Sequence, residues 1–215
     1  MMPEIDKIMK ILLKKYPAST TTLNKMRGKK DAFKILISCL LSLRTRDEVT
    51  EIVSENLFKI ANTPEKIIKL PNSKLKEIIF KTGHYNKKAE ALKHVSKEII
   101  KKHKGKIPKT YEELISIKHI GPKTANIVLA FAFDQYVIPI DTHCHRIPNR
   151  LGWIKTKTAE QTDKIMPKIL PKKYWRGFNS IFVQFGKNIC VPISPKCSIC
   201  PIKKHCKRVE ITISR

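Results

Sequence analysis

Residues 110–133, TYEELISIKHIGPKTANIVLAFAF, predict two helices joined by a tight turn. Thr110 and Glu113 match a capping box, which marks the start of the first helix. Gly121 permits a tight turn with the backbone close to a ligand, and Pro122 suits the first position of the second helix. Because the first N–H groups of a helix have no partner within it, this turn predicts a site for phosphate.

Lys123 occupies the first turn of the second predicted helix, which is an unusual place for a cation. The helix dipole disfavours the protonated ammonium at this end and therefore favours the neutral, nucleophilic amine. An unperturbed lysine is neutral in only roughly one molecule in 2,500 at pH 7, so a lysine nucleophile needs such help. The alternative is that Lys123 is one more solvated cation among 44 lysines and arginines.

A carboxylate opens the next predicted helix, in the sequence Ile140-Asp141-Thr142-His143. Aspartate is a common N-cap, and this is the structural interpretation of Asp141. The chemical interpretation is that Asp141 takes a proton from Lys123 and offsets positive charge developing at C1′ of a sugar.

Four of the six cysteines are clustered as Cys190-x6-Cys197-x2-Cys200-x5-Cys206. Such a cluster outside a disulfide-forming compartment indicates a metal site. Four thiolates could hold zinc or an iron–sulfur cluster, although zinc sites usually have two Cys-x2-Cys pairs and this sequence has one. Cys39 and Cys144 are expected to be small buried hydrophobic residues.

The charge balance points to a polyanionic partner. The chain has 44 basic and 18 acidic residues, which gives a formal net charge of +26, and nucleic acid is the partner that this surplus favours. No apolar run approaches the length of a membrane span, and acidic residues precede any apolar stretch, unlike in a signal peptide. We therefore expect a cytoplasmic protein with no membrane partner.

Helical spacing of apolar residues extends along nearly the whole chain. Residues 31–43 are apolar on almost every side, as expected of a central buried helix. An alternating strand pattern is found at most over residues 136–140. The predicted fold class is all-α.

Together these motifs resemble endonuclease III, the iron–sulfur branch of the helix-hairpin-helix DNA glycosylase superfamily. The resemblance extends from about Tyr16 to Cys206. It is carried by residues 120–125, by residues 140–143 with Arg146, Asn149 and Arg150, by the four clustered cysteines, by Leu40-Leu41-Ser42 with Asp47, and by Gly83-x-Tyr85-x-x-Lys88-Ala89.

The resemblance implies two helical domains with the active-site cleft between them. One comprises residues 25–135 and includes the helix-hairpin-helix motif at about 111–133; the other joins residues 1–24 to 136–215 and carries an iron–sulfur loop at 190–206. A 4Fe–4S cluster on Cys190, Cys197, Cys200 and Cys206 is implied, as is a monomer that is cytoplasmic and nucleoid-associated.

The implied activity is that of a bifunctional DNA glycosylase and abasic-site lyase of base excision repair. Its substrate is damaged double-stranded DNA, with an oxidised base, a pyrimidine by preference, flipped out of the duplex. Lys123 attacks C1′, the base departs, and the strand is cleaved by β-elimination through the imine, while Asp141 assists by proton transfer and charge stabilisation.

Three departures from the family pattern fall on the implied DNA contacts. His119 stands where the turn usually has a second glycine, Arg44 stands where a glutamine fills the gap left by the flipped base, and His84 replaces an apolar wedge. These changes bear on lesion specificity rather than on the chemistry. The full set of predicted DNA-binding residues is Arg44, His84, His119, Gly121, Lys123, Arg146 and Arg150.

Three alternatives remain at this point. A monofunctional adenine or mismatched-thymine glycosylase lacks the lysine, and the adenine branch needs a glutamate where Cys39 aligns. An 8-oxoguanine glycosylase of the same fold keeps both Lys123 and Asp141. A non-enzymatic iron–sulfur DNA-binding protein would leave the pairing of these two residues unexplained.

Overall fold

The computed structural model describes residues 3–16 and 31–215. The helices in chain order are α1 (Pro3–Lys15), α2 (Ala32–Ser42), α3 (Asp47–Ile60), α4 (Pro64–Lys69), α5 (Asn72–Ile79), α6 (Tyr85–His103), α7 (Tyr111–Ser116), α8 (Pro122–Ala132), α9 (Thr142–Leu151), α10 (Ala159–Ile169) and α11 (Trp175–Asn188), with short 3-10 turns at Lys172–Tyr174 and Lys203–His205. No β-strand is found in the described ranges, and residues 136–140 are extended without pairing. The all-α prediction is confirmed.

Side-chain caps set several helix starts. The Thr110 hydroxyl accepts from the backbone N–H of Glu113 at 3.4 Å, as the first half of the capping box predicts, and it also donates to the Glu113 carboxylate at 2.6 Å. Thr158 caps α10 in the same way, accepting from the N–H of Gln161 at 3.3 Å. Each such cap contributes about 1 kcal/mol and fixes where the chain turns into a helix.

Pro148 lies inside α9, at a position where a proline is expected to kink or end a helix. A proline at this position removes one backbone donor and therefore one intrahelical hydrogen bond. The helix nevertheless continues to Leu151, where Gly152, at φ 74°, closes it in the left-handed conformation that glycine favours.

The described residues divide into two compact units. The continuous unit is formed by the chain from Asp31 to Gln135, and the discontinuous unit by α1 with Tyr136–Arg215. The predicted domain boundary between residues 24 and 25 lies outside the described residues. Among those residues, no helix combines the length and the apolar character that crossing a bilayer requires.

In the continuous unit, α2 is the central helix. Its residues from Phe33 to Leu41, apart from Lys34, are buried, as the apolar sequence predicts. It packs against α3, α6 and α8, while α6 also covers α4 and α5. The hairpin of α7 and α8 is thereby fixed to the middle of the unit.

In the discontinuous unit, α1 contributes one apolar face to a core built largely by α9 and α11. Phe178, Phe182 and Phe185 of α11 are fully buried there. At the edge of this core the Tyr174 hydroxyl donates to Asp6 of α1 at 2.6 Å, which ties the N-terminal helix to the rest of the unit.

Candidate functional site

The turn between α7 and α8 is tight because His119, and not Gly121, takes the left-handed conformation. His119 has φ 79°, whereas Gly121 is the extended N-cap of α8 with φ −92°. A Cβ atom at Gly121 would meet no atom within 4 Å. The glycine therefore leaves the helix start open, and no side chain caps α8.

Lys123 projects from this uncapped first turn of α8 and is exposed. Its charge acts on Cys39, a fully buried residue of α2. Burial raises the pKa of the Cys39 thiol to about 12, although the charge of Lys123 acts in the opposite direction. Cys39 is therefore a protonated, unreactive part of the wall beside Lys123, in keeping with its predicted role as a buried hydrophobic residue.

Asp141 is the N-cap of α9, so its structural interpretation is correct. Its Oδ1 atom accepts from the backbone N–H groups of His143 at 2.9 Å and Cys144 at 2.8 Å. The cap uses only Oδ1, so Oδ2 takes no part in it. Asp141 belongs to the discontinuous unit and Lys123 to the continuous unit.

The three residues that depart from the family pattern lie together along one open groove of about 420 Å³ in the continuous unit. Arg44 and His84 have φ values of 53° and 55°, so all three, with His119, hold the left-handed conformation that non-glycine residues rarely adopt. The groove combines an apolar floor with a basic rim. Its lining residues are Leu40, Leu43, Arg44, His84, Lys87, Lys88, Ala91 and His119.

His119 also contacts a second histidine. Its ring meets that of His94 edge-on, with centroids 5.4 Å apart. Burial lowers the pKa of His119, and the charges of His94 and Lys118 act in the same direction. The imidazole is therefore mostly neutral at pH 7 and brings a polar ring rather than a charge to the turn.

Arg146 and Arg150 of α9 point towards the chain that enters the cysteine loop. The Arg146 guanidinium donates to the carbonyl of Cys190 at 2.8 Å. That of Arg150 donates to the carbonyls of Val191 at 2.7 Å and Pro192 at 2.6 Å. These contacts show a bracing role, while the DNA contacts of both arginines stay a prediction.

All four clustered cysteines line a single cavity in the discontinuous unit. The Arg150 guanidinium donates to Cys190 Sγ at 3.5 Å, and the backbone N–H of Arg208 donates to Cys206 Sγ at 3.4 Å. The apolar part of the wall consists of Ile147, Leu151, Phe185, Ile189, Ile202 and Ile211.

The thiols are close enough to influence one another. The pKa of the Cys200 thiol is raised to about 11, chiefly by burial, and the three other cysteines contribute in the same direction. In the described part of the chain, however, no three histidine, cysteine, aspartate or glutamate side chains converge as a single metal ion requires.

Sequence reasoning missed Lys88 as a buried residue. Lys88 is only 7% exposed, although it lies in a lysine-rich stretch that suggests a solvated or DNA-facing helix surface. The signal that could have found it is its position, since Lys88 falls at helical spacing with the buried Leu92, Val95 and Ile99 of α6.

Comparisons with known proteins agree on one family. Residues 37–172 match the HhH-GPD superfamily of base excision DNA repair proteins. Endonuclease III of Thermotoga maritima is 39% identical over 203 residues, which cover 94% of this chain and 92% of that protein.

Two solved structures of endonuclease III are similar over the whole fold. A non-covalent complex with DNA has a TM-score of 0.85, and a trapped covalent intermediate with DNA, an estranged-adenine complex, has a TM-score of 0.80. Each is 28% identical and covers 97% of both chains. The chain therefore belongs to the HhH-GPD superfamily of base excision DNA repair proteins and, within it, to the endonuclease III family.

Proposed function

We propose that this protein is a bifunctional DNA glycosylase and abasic-site lyase that removes an oxidised base, a pyrimidine by preference, from duplex DNA. The observation that carries the proposal is the exposed amine of Lys123, in the uncapped first turn of α8 and directly after a hairpin turn. Backbone N–H groups at this helix start are available to a phosphate of the DNA, which would bring a sugar near the amine. Family membership supports the same role.

The reaction begins when neutral Lys123 Nζ attacks C1′ of the damaged nucleotide. The bond between C1′ and the base breaks, and the base leaves with the bonding electrons and gains a proton. The sugar ring opens to an imine between C1′ and Nζ, and loss of a C2′ proton then expels the 3′ phosphate by β-elimination. A lysine nucleophile thus joins base removal and strand cleavage in one site.

Asp141 is proposed to accept the proton that Lys123 loses and to stabilise positive charge on the sugar. Its Oδ1 is held by two backbone N–H groups, so the carboxylate has a fixed position at the start of α9. Because Oδ2 takes no part in the cap, capping and proton transfer are compatible in one side chain.

Damaged double-stranded DNA is the proposed partner, and the formal charge of +26 supports it. Arg44, His84 and His119 at the groove are proposed to contact the duplex around the extruded base. Gly121 and Lys123 at the hairpin, together with Arg146 and Arg150 of α9, complete this set.

A 4Fe–4S cluster is proposed on Cys190, Cys197, Cys200 and Cys206. A cavity lined by all four thiols supports a group that is held by all four cysteines, and the single Cys-x2-Cys pair favours the cluster over zinc. When bound, the cluster supplies four iron–sulfur bonds that cross-link the loop.

The remaining proposals concern organisation. Residues 25–135 and residues 1–24 with 136–215 are proposed as two domains, and the protein is proposed to act as a monomer. A cytoplasmic, nucleoid-associated location is proposed because the charge suits DNA and the cysteine cluster suits a reducing compartment.

Borohydride trapping tests the proposed activity, because the reagent reduces an imine to a stable amine. The protein is incubated with duplexes that carry one oxidised pyrimidine, one 8-oxoguanine, one mismatched thymine or no damage. We expect a covalent adduct with the oxidised pyrimidine. An adduct with 8-oxoguanine alone would select the purine-specific alternative, and binding without any adduct would select a monofunctional or non-enzymatic protein.

A further inference from the structure

Two loops meet at the groove of the continuous unit, and each presents a side chain from a strained backbone. Arg44 follows α2, and His84 precedes α6, and both are left-handed. A Cβ atom at the neighbouring Gly83 would lie 2.9 Å from the Arg44 carbonyl oxygen. The two backbones are therefore packed as closely as a glycine allows.

The Thr45 hydroxyl joins these loops. Its Oγ1 atom accepts from the backbone N–H of Gly83 at 3.2 Å, and it donates to the Leu43 carbonyl at 3.4 Å. Thr45, the residue after Arg44, is therefore hydrogen-bonded to Gly83, the residue before His84.

Lys88 is hydrogen-bonded both to Thr45 and to Leu41 of α2. Its Nζ atom donates to Thr45 Oγ1 at 2.7 Å and to the carbonyl of Leu41 at 2.6 Å. The side chain is buried, and burial lowers the pKa of Lys88 to about 8. A buried ammonium is costly unless it is hydrogen-bonded, so the burial of Lys88 depends on these two bonds. The bond to Thr45 in turn restrains the loop that carries Arg44.

We propose that Lys88, acting through Thr45, is a positioning residue that holds Arg44 and His84 in one arrangement for reading the duplex at a lesion. This inference rests on the proposed function. Left-handed non-glycine residues persist only where their surroundings over-determine them, and the Lys88–Thr45 contacts are surroundings of that kind. Without them the two loops can relax independently, and Arg44 and His84 no longer engage DNA together.

Binding discrimination tests the proposal without requiring any chemistry. The affinity for a duplex with one tetrahydrofuran abasic analogue is divided by the affinity for the undamaged duplex. We expect Lys88→Met and Thr45→Val to reduce this ratio about tenfold or more, while affinity for undamaged duplex changes less than about twofold, because exposed cations are kept. Thr45→Ser keeps the hydroxyl and should restore the ratio.

Lys93 of the same helix provides the matched control. It is half-buried, and its Nζ donates to two backbone carbonyls, those of Ile68 and Leu70, at the end of α4. Lys93→Met therefore removes the same kind of internal contact away from the groove. It should lower thermal stability and leave the binding ratio unchanged.

A second comparison separates positioning from general stability. Because Lys88 is proposed to hold both Arg44 and His84, Lys88→Met should lower the ratio less than about threefold in a background that carries Arg44→Ala and His84→Ala, since contacts that act together are not additive. The proposal would be overturned if the effects of Lys88→Met and of the background substitutions multiplied, or if Thr45→Val left the binding ratio unchanged. Should Lys88→Met fail to fold, the result for Thr45→Val decides. If the wild-type protein discriminates between the two duplexes but forms no borohydride adduct, the proposed activity is refuted and the proposal about Lys88 is not.

Discussion

Replacement of Asp141 by asparagine and by alanine separates the two roles of this residue. The carboxylate caps α9 through two hydrogen bonds, to the N–H groups of His143 and Cys144. Asparagine retains an oxygen that can accept both, so Asp141→Asn should cost only a few tenths of a kcal/mol. Asp141→Ala removes the acceptor and should cost about 1–2 kcal/mol. For a chain of this size the alanine variant should melt about 2–8 °C lower.

Activity should follow the carboxylate rather than the cap. Both variants lose the proton acceptor, so single-turnover base excision should fall about 10²–10⁴-fold in each, despite their different stabilities. Melting is followed by circular dichroism and excision by borohydride trapping. Thr158→Ala is the control, because it removes an N-cap from α10 and should lower stability without changing excision. Wild-type excision by Asp141→Asn would mean that Asp141 is a cap alone.

Four further predictions concern the nucleophile, the cysteine loop, the charge and the buried lysine. Lys123→Gln should bind an abasic duplex but form no borohydride adduct; full trapping would show that another amine reacts. The purified protein should contain about four irons per chain, and Cys200→Ser should lose them and loosen the cysteine loop without altering the continuous unit; one zinc and no iron by metal analysis would contradict this. Affinity for undamaged duplex should fall steeply between 50 and 200 mM salt, and a change of less than about threefold would be incompatible with phosphate contacts. Because the pKa of Lys88 is about 8 in the folded protein and 10.5 for an unperturbed lysine, the unfolded chain binds more protons between these values. The stability of the wild type relative to Lys88→Met should therefore rise from pH 8 to 10.5, as measured by urea unfolding.

The elements that could be predicted from sequence are those set by local chemistry. The N-cap at Thr110, the proline at the start of α8 and the apolar run of α2 each act over a few residues, and all appear as expected. The cysteine spacing is likewise a local property, and the four thiols do share one cavity.

What could not be predicted depends on contacts between distant segments. Lys88 lies in a lysine-rich stretch, and its burial is explained by two partners that are remote in sequence, the carbonyl of Leu41 and the hydroxyl of Thr45. Arg146 and Arg150 donate to carbonyls of residues 190–192, and these contacts could not be read from the sequence. The permissive backbone of glycine makes Gly121 the natural candidate for the tight turn, whereas His119 adopts the left-handed conformation.

Several of the cations that make up the formal charge of +26 are directed into the protein. Lys88, Lys93, Arg146 and Arg150 donate to carbonyls of their own chain and act as internal struts. A carbonyl does not cancel the charge of the cation, but an N–H group that donates to a carbonyl is not also free to donate to a phosphate of the DNA. The number of direct contacts to phosphate is therefore limited by the cationic donors that carry no internal hydrogen bond, which are fewer than the sequence contains.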